Sequence, residues 1–147
     1  MTSADNQQER LHHIPNELGY YLSGFAEGEG SFNISVIRRK SDYRNKWKIS
    51  LSFNISQKSS ELPILFKQTL KCGIIRFRKD GVCYFEIRNI KDLNTSLRAF
   101  FTNFPLISKR QSERCSLLFD AVDLMINKSH LNQSGLIKVL SIKREND

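Results

Sequence analysis

The sequence predicts one α+β domain in which an antiparallel sheet carries helices on one face only. Four segments alternate apolar and polar side chains at a period of two, which is typical of strands with one buried and one wet face. The segments between and after them repeat apolar residues at helical spacing. A chain of 147 residues is of single-domain size, and we expect a polar tail over residues 1–15 and the domain over residues 16–147.

The first half of the domain is predicted to be helix, strand, strand and helix. Pro15 ends the tail, Asn16 is a candidate N-cap, and Ser59 or Ser60 is a candidate cap for the second helix, which Gly73 stops. The cleanest alternation starts at Trp47. The expected ranges are helix 16–28, strand 31–40, strand 46–57 and helix 59–71.

The second half is predicted to be a hairpin followed by helices. Asp80-Gly81 is a strong hairpin turn dipeptide, Ser108 is a candidate cap for a long helix, and Asn132 is one for the last helix. The expected ranges are strands 74–79 and 82–88 and helices 91–101, 108–127 and 133–142. The order is therefore αββαββα followed by C-terminal helices.

A net charge of +8 indicates a nucleic acid or an anionic membrane as partner. The basic residues cluster in segments that read as strands, not in a basic amphipathic helix, which favours nucleic acid and argues against a membrane. No apolar run is long enough to span a bilayer, and residues 1–10 lack a secretory signal, so we expect an intracellular protein. Three widely spaced cysteines fit a reducing compartment and form no metal motif.

We expect the polar face of the sheet to bind double-stranded DNA. The alternative is simple solvation, but the face is biased to Arg, Lys and short hydrogen-bonding side chains, the residue types that hold phosphates and read base edges. The predicted contact residues on and just beyond the strands are Asn33, Ser35, Ile37, Arg39, Lys48, Ser50, Ser52, Asn54, Ser56, Lys58, Arg76, Arg78, Tyr84, Glu86 and Arg88.

Two acids stand where the first helix gives way to the first strand. Glu27 and Glu29 fall in or just after the last helical turn, where the helix dipole disfavours negative charge. Acids at such a position in a basic chain suggest a cation partner. Gly24 and Gly28 share one helix face, which permits the close approach of a second helix. The alternative is that the glycines fit a tight contact within the domain and a C-cap.

Residues 22–30, which read LSGFAEGEG, resemble the LAGLIDADG motif of homing endonucleases. Further landmarks resemble that family in the same order: the strand end at 56–58, the hairpin after Gly73, the segment 104–110 and the helix at 134–138. The resemblance covers roughly residues 17–143. It implies an αββαββα fold with a saddle-shaped sheet in the DNA major groove.

The resemblance also implies a homodimer and a metal-dependent cleavage site. Because the sequence holds one copy of the motif, two chains would meet through the motif helix, with Leu22, Gly24, Phe25 and Gly28 at the interface. Glu29 would bind Mg²⁺, or another divalent cation such as Mn²⁺, with the Gly28 carbonyl as an additional ligand.

The other family positions carry over to Gln57 and Lys109. Gln57 would orient a water molecule, and Lys109 would stabilise the transition state or activate water, with Arg110 as its alternative. Glu27 would serve structure at the helix end. Both motif acids are Glu in this chain, and Glu61 stands where some members have a basic residue.

The expected function is therefore site-specific cleavage of both strands of a long, pseudo-palindromic DNA site. Two alternatives remain on the same fold: a maturase that binds intron RNA, and a module that binds DNA without cutting it. The resemblance implies a chloroplast, a mitochondrion or the bacterial cytoplasm as the location.

Overall fold

The computed structural model describes residues 13–38, 47–127 and 133–146 and has the expected α+β architecture. The elements are helix α1 (Asn16–Glu29), strands β1 (Gly30–Arg38) and β2 (Trp47–Gln57), helix α2 (Glu61–Leu70), strands β3 (Ile74–Phe77) and β4 (Cys83–Ile87), helix α3 (90–103), helix α4 (Lys109–Ile126) and helix α5 (Gln133–Asn146). Helix α3 contains a π-helical segment, Leu93–Leu97, between α-helical turns. Arg39 and Asn132 lie outside the described residues.

The strands of the described residues form one antiparallel sheet in the order β1-β2-β4-β3. The register brings polar residues opposite polar residues across the sheet: Asn33 faces Ser52, Asn54 faces Glu86, and Arg76 faces Tyr84. Side chains alternate between faces along a strand, so apolar residues meet on the other face. The one-sided sheet predicted from the alternation is confirmed.

A phenylalanine-rich core lies between the apolar face of the sheet and the helices. Phe53 and Phe85 of the sheet and Phe66 and Phe100 of the helices are fully buried. The rings of Phe66 and Phe85 stack with centroids 5.9 Å apart, and Phe66 meets Phe100 edge-on at 6.2 Å. Buried aromatic contacts of this kind stabilise a fold beyond the area that they remove from water.

The helix caps differ in part from the sequence expectation. Asn16 is the first helical residue and Pro15 occupies the cap position, so Asn16 does not cap α1. Ser60 stands at the start of α2 without a capping hydrogen bond from its side chain. Ser108 does cap α4, because its Oγ accepts a hydrogen bond from Gln111 N at 3.2 Å.

Helix α1 packs into the domain through a face of small residues. Gly19, Ser23 and Ala26 are buried on this face, and the Phe104 ring lies against Gly19, where a Cβ atom would overlap it. Ser23 Oγ donates a hydrogen bond of 2.8 Å to the Phe104 carbonyl. The segment that leads into α4 is thereby held against α1. Among the described helices, none is both long and apolar enough to span a bilayer.

We predict that Gly19→Ala lowers the free energy of unfolding by roughly 1–3 kcal/mol, as expected when a methyl group is forced into a packed core. In a Phe104→Leu background the same substitution should cost clearly less, because the overlapping ring is gone. Urea denaturation of the four variants measures both effects. Equal costs in the two backgrounds would show that the Phe104 ring is not what Gly19 accommodates.

Candidate active site and nucleic-acid interface

The site predicted from the motif lies where α1 passes directly into β1. Helix α1 ends at Glu29, and the Gly30 amide donates to the Ala26 carbonyl as the helix closes. A Cβ atom at Gly30 would stand 2.6 Å from the Ala26 carbonyl oxygen, so the junction requires glycine for space rather than for backbone conformation. The Glu29 residue is exposed at this junction.

The sheet register brings Gln57 to the same junction. Gly30 pairs with Ile55, and Gln57 follows two residues later as the last residue of β2. A strand spacing near 5 Å and a rise near 3.3 Å per residue put the Cα atoms of Gln57 and Gly30 roughly 8 Å apart. The chain segments that carry Glu29 and Gln57 therefore meet at the same end of the β1–β2 pair.

Glu27 is bound to the start of helix α4. Its carboxylate accepts hydrogen bonds from the Ile107 amide, from Ser108 N at 3.1 Å and from Ser108 Oγ at 2.7 Å. Desolvation raises the pKa of Glu27, but the hydrogen bonds from the Ser108 side chain and from the two amides together bring that pKa below its ordinary value of 4.5. Glu27 thus stands at the unfavourable end of its own helix and at the favourable end of α4.

Gln111 was not singled out from the sequence. Its spacing from Ser108 fits a capping box, in which the glutamine side chain would bond back to the Ser108 amide. In the structure Glu27 occupies that amide, and Gln111 Nε2 instead donates to the Ala26 carbonyl at 3.0 Å and to the Gly30 carbonyl at 2.9 Å. Gln111 is only 7% exposed. A glutamine three residues after a helix cap is the signal that was available in the sequence.

The two candidate basic residues occupy different sides of helix α4. The Lys109 side chain is 90% exposed, and its Nζ lies 4.0 Å from Glu113 Oε1, one turn along the same helix. At about 100° per residue, Lys109 is turned roughly 160° from Gln111 and Arg110 roughly 100°. Because Gln111 faces the α1 junction, Arg110 lies on the nearer flank. Both residues begin the helix that Glu27 holds, and the choice between them stays open.

The residues predicted to contact DNA share one face of the sheet wherever the structure describes them in a strand. Among the polar side chains, Asn33 Oδ1 accepts from Ser31 Oγ at 3.0 Å, and Asn33 Nδ2 donates to Ser52 Oγ at 3.4 Å. The strand members on this face are Asn33, Ser35, Ile37, Lys48, Ser50, Ser52, Asn54, Ser56, Arg76, Tyr84 and Glu86. Lys58, Arg78 and Arg88 follow directly after strand ends.

Glu86, which is predicted to contact DNA, already has ionic partners on this face. Its side chain is 11% exposed, and its Oε1 lies 3.0 Å from Arg76 NH2 and 3.9 Å from Arg88 Nε. A carboxylate covered by two guanidinium groups is oriented toward them rather than toward an approaching duplex. Glu86 therefore holds these two arginines in place.

Arg78 is also held by its neighbours. It donates hydrogen bonds of 2.6 Å to the Tyr84 hydroxyl and 2.6 Å to Asp80 Oδ2. The hydrogen bond from Arg78 lowers the pKa of Asp80, and the hydrogen bond to Asp80 raises the pKa of Arg78. These arginines are arranged before any ligand arrives, although in solution such exposed ion pairs contribute little to stability.

The exposed face of α1 corrects the expected interface. Leu22 is 0% exposed and belongs to the core, so its predicted place between two chains is wrong. Phe25 is half-buried and packs against Phe66. Tyr21, which the sequence analysis did not select, is 60% exposed on the face that also presents Gly24 and Gly28.

The open space around the two glycines distinguishes between the readings of their spacing. Among the described residues, a Cβ atom at Gly24 or at Gly28 would meet nothing within 4 Å apart from its chain neighbours and the surrounding backbone of α1. A tight contact within the described domain therefore does not account for either glycine. The close approach of a second helix stays a prediction.

The donor set at the junction suits a hard cation that takes few protein ligands. No group of three or more His, Cys, Asp and Glu side chains among the described residues could hold a metal. The junction offers the Glu29 carboxylate together with backbone carbonyls at the end of α1, of which the Gly28 carbonyl is the predicted ligand. Oxygen donors of this kind fit Mg²⁺, which usually takes few protein ligands and completes its shell with water and phosphate.

Comparison with known proteins gives a consistent family. A family model described as LAGLIDADG endonuclease matches residues 22–114. "Probable intron-encoded endonuclease 3" of Neurospora crassa is 34% identical over 125 residues, which is 82% of this chain and 23% of that protein. The chain spans about a quarter of the length of the first curated relatives that it matches.

Solved structures agree with this result. The LAGLIDADG meganuclease I-CpaMI bound to uncleaved DNA has a TM-score of 0.78 at 31% identity, over 85% of this chain and 42% of that one. The homing endonuclease I-TnaI has a TM-score of 0.77 at 26% identity, over 86% of both chains.

We predict that Glu27 makes folding stability depend on pH in the acid range. Because the pKa of Glu27 is lowered in the folded state, its contribution to stability is present above about pH 4.5 and is lost as the pH falls through the folded value. The Glu27→Gln variant lacks this titration, so its stability should fall less on acidification. Urea denaturation at neutral pH and at about pH 3.5 measures the difference, and parallel pH profiles would contradict the assignment.

Proposed function

We propose that this chain, which belongs to the LAGLIDADG endonuclease family, is a site-specific DNA endonuclease. It would cut both strands of a long, pseudo-palindromic site. The observation that carries the proposal is the position of Glu29. This exposed carboxylate stands at the junction of α1 and β1, at one end of the sheet strands. One face of that sheet is polar and carries Arg76. An acid in such surroundings is suited to a metal ion between protein and phosphate.

DNA binding would use the polar face of the sheet. Short side chains such as Asn33, Ser52 and Asn54 would read base edges, and Arg76 would reach a guanine or a phosphate. A two-stranded ribbon fits the major groove, and each good bidentate base contact contributes roughly 1–3 kcal/mol of discrimination. The net charge of +8 supports strong, salt-dependent attraction to the duplex.

Catalysis would combine groups from three elements. Glu29 and the Gly28 carbonyl would hold a divalent cation, Mg²⁺ or Mn²⁺, which when bound supplies an activated water molecule and neutralises charge on the phosphate. Gln57 would orient water at the strand end. Lys109 or Arg110 would stabilise the negative charge that develops on the phosphate.

The complete enzyme would be a homodimer joined along α1. The open space at Gly24 and Gly28 supports a close approach of two such helices, with Tyr21 at the margin. Two copies of Glu29 would then stand near one another at the centre of the DNA site. This chain aligns with 42% of the I-CpaMI chain. That coverage supports an enzyme built from two units of this size.

An intron-encoded origin is proposed on the name of the Neurospora crassa relative. Selection of cleaved sites from a random duplex pool in Mg²⁺ tests activity, specificity and symmetry together. Recovery of bound but uncut sites would favour a DNA-binding module. Tight binding of intron RNA without cleavage of any duplex would favour a maturase.

We predict that Glu29→Gln lowers the cleavage rate by about 100-fold or more, the scale of losing one key electrostatic group, while DNA affinity without metal is retained. Gel assays of cleavage and fluorescence anisotropy of binding measure the two quantities. Asp120→Asn removes an exposed acid on α4 and is the matched control, which should cut normally. A Glu29→Gln protein that cuts at the wild-type rate in Mg²⁺ would refute the assignment.

We predict that the wild-type chain sediments as a dimer and that Gly24→Leu sediments as a folded monomer. The added side chain has open space within the domain but would keep two helices apart. Gln68→Leu, at an exposed position of α2, controls for a surface leucine and should remain dimeric. A wild-type monomer, both alone and with target DNA, would overturn the homodimer.

A further inference from the structure

A buried glutamine joins the two chain segments that carry the proposed catalytic groups. Gln111 lies in the first turn of α4, and its amide nitrogen bonds to the carbonyls of Ala26 and Gly30 at 3.0 and 2.9 Å. These two carbonyls bracket residues 27–29. The amide therefore ties the start of this turn to its end, and Glu29 lies between the two attachment points.

The same glutamine belongs to a continuous chain of hydrogen bonds. Gln111 N donates to Ser108 Oγ at 3.2 Å, and Ser108 Oγ donates onward to Glu27 Oε2 at 2.7 Å. Ser108 N adds a bond of 3.1 Å to Glu27 Oε1. Hydrogen bonds to a carboxylate are stronger than those between neutral groups, and linked bonds polarise one another. The first turn of α4 and the last turn of α1 are thereby locked together at two points.

We propose that Gln111 is a positioning residue that sets the direction of the Glu29 carboxylate and its separation from the basic pair at 109–110. This inference rests on the proposed nuclease function. The backbone of residues 26–30 sets the position and direction of the Glu29 Cα–Cβ bond, and with it the region that the carboxylate can reach. A misplacement of about 1 Å at a reacting centre can cost about 100-fold in rate.

The amide suits this task because it offers two donors to two acceptors. A glutamate at position 111 would be an acceptor when ionised, and it would repel both carbonyls. A methionine has similar length and offers no donor. An asparagine keeps the amide but is shorter by one methylene. The Gln111→Met variant therefore removes the donors at similar length, and the Gln111→Asn variant keeps the donors but shortens the reach. The positioning role requires both properties.

We expect both variants to fold and bind target DNA within about threefold of wild type, while kcat falls by about 100-fold. The Mg²⁺ concentration for half-maximal rate should rise in both, because the carboxylate is displaced. Ser23→Ala is the matched control: Ser23 Oγ joins the same helix to the same segment at Phe104, away from Glu29, with a buried bond of 2.8 Å. This variant should lose stability but keep kcat.

A second measurement is independent of cleavage. Amide hydrogen exchange of the wild type and of Gln111→Asn, without DNA or metal, should show faster exchange at Gly30 in the variant and unchanged exchange in the β2–β4 ladder. If one variant does not fold, the other is measured in its place. If neither folds, Gln111 holds the fold itself and the positioning role is overturned.

The outcomes separate two failures. A wild-type protein that cuts no duplex refutes the proposed function. Faster exchange at Gly30 in Gln111→Asn would still show that Gln111 holds the junction of α1 and β1. A wild-type protein that cuts and a Gln111→Met protein that cuts equally fast refute the positioning role. Equal losses of kcat in Ser23→Ala and Gln111→Met would also refute it, because general loosening would then explain both.

Discussion

The molecule depends on how helix α1 ends. The chain can pass directly from helix to strand at Gly30 because glycine has no side chain. A Cβ atom there would lie too close to the Ala26 carbonyl oxygen. This abrupt junction leaves Glu29 exposed beside the last residue of β2. A looser connection would separate the acid from the sheet edge, and the polar face and the candidate metal ligand would no longer address the same stretch of a duplex.

The position of Glu27 shows how a locally unfavourable charge becomes favourable in the tertiary structure. Within α1, Glu27 lies at the end where the helix dipole disfavours negative charge. The sequence does not show which other helix contacts this residue. The fold brings the start of α4 to Glu27. There the Ser108 amide and hydroxyl donate hydrogen bonds to the carboxylate, and the N-terminal end of a second helix dipole favours its charge. Local electrostatics correctly marked both motif acids as unusual. It did not distinguish the acid that holds two helices together from the acid that faces outward.

On the polar face of the sheet and at the adjacent strand ends, neighbouring side chains orient the arginines. Arg76 and Arg88 lie against Glu86, and Arg78 lies against Asp80 and Tyr84. Such pairs reduce the net positive charge of the face, yet they restrict the directions in which the guanidinium groups can point. An arginine held in this way loses less conformational freedom on binding than a free one. The pairs therefore orient the guanidinium groups but neutralise part of the positive charge of this face.

The sequence by itself determined the order of strands and helices, the one-sided sheet and the motif, because periodicity and turn chemistry are properties of neighbouring residues. Alternation alone assigned Asn33, Ser52 and Arg76 to one face. Only the tertiary structure decided which residues the packing would take. Leu22 is buried in the core, whereas Tyr21 is exposed. Glu86 forms an ion pair with Arg76. The Gln111 side chain bonds to carbonyls more than 80 residues away instead of to its local cap. The physical reason is that burial and hydrogen-bond partners are set by contacts between distant segments, which no local pattern records.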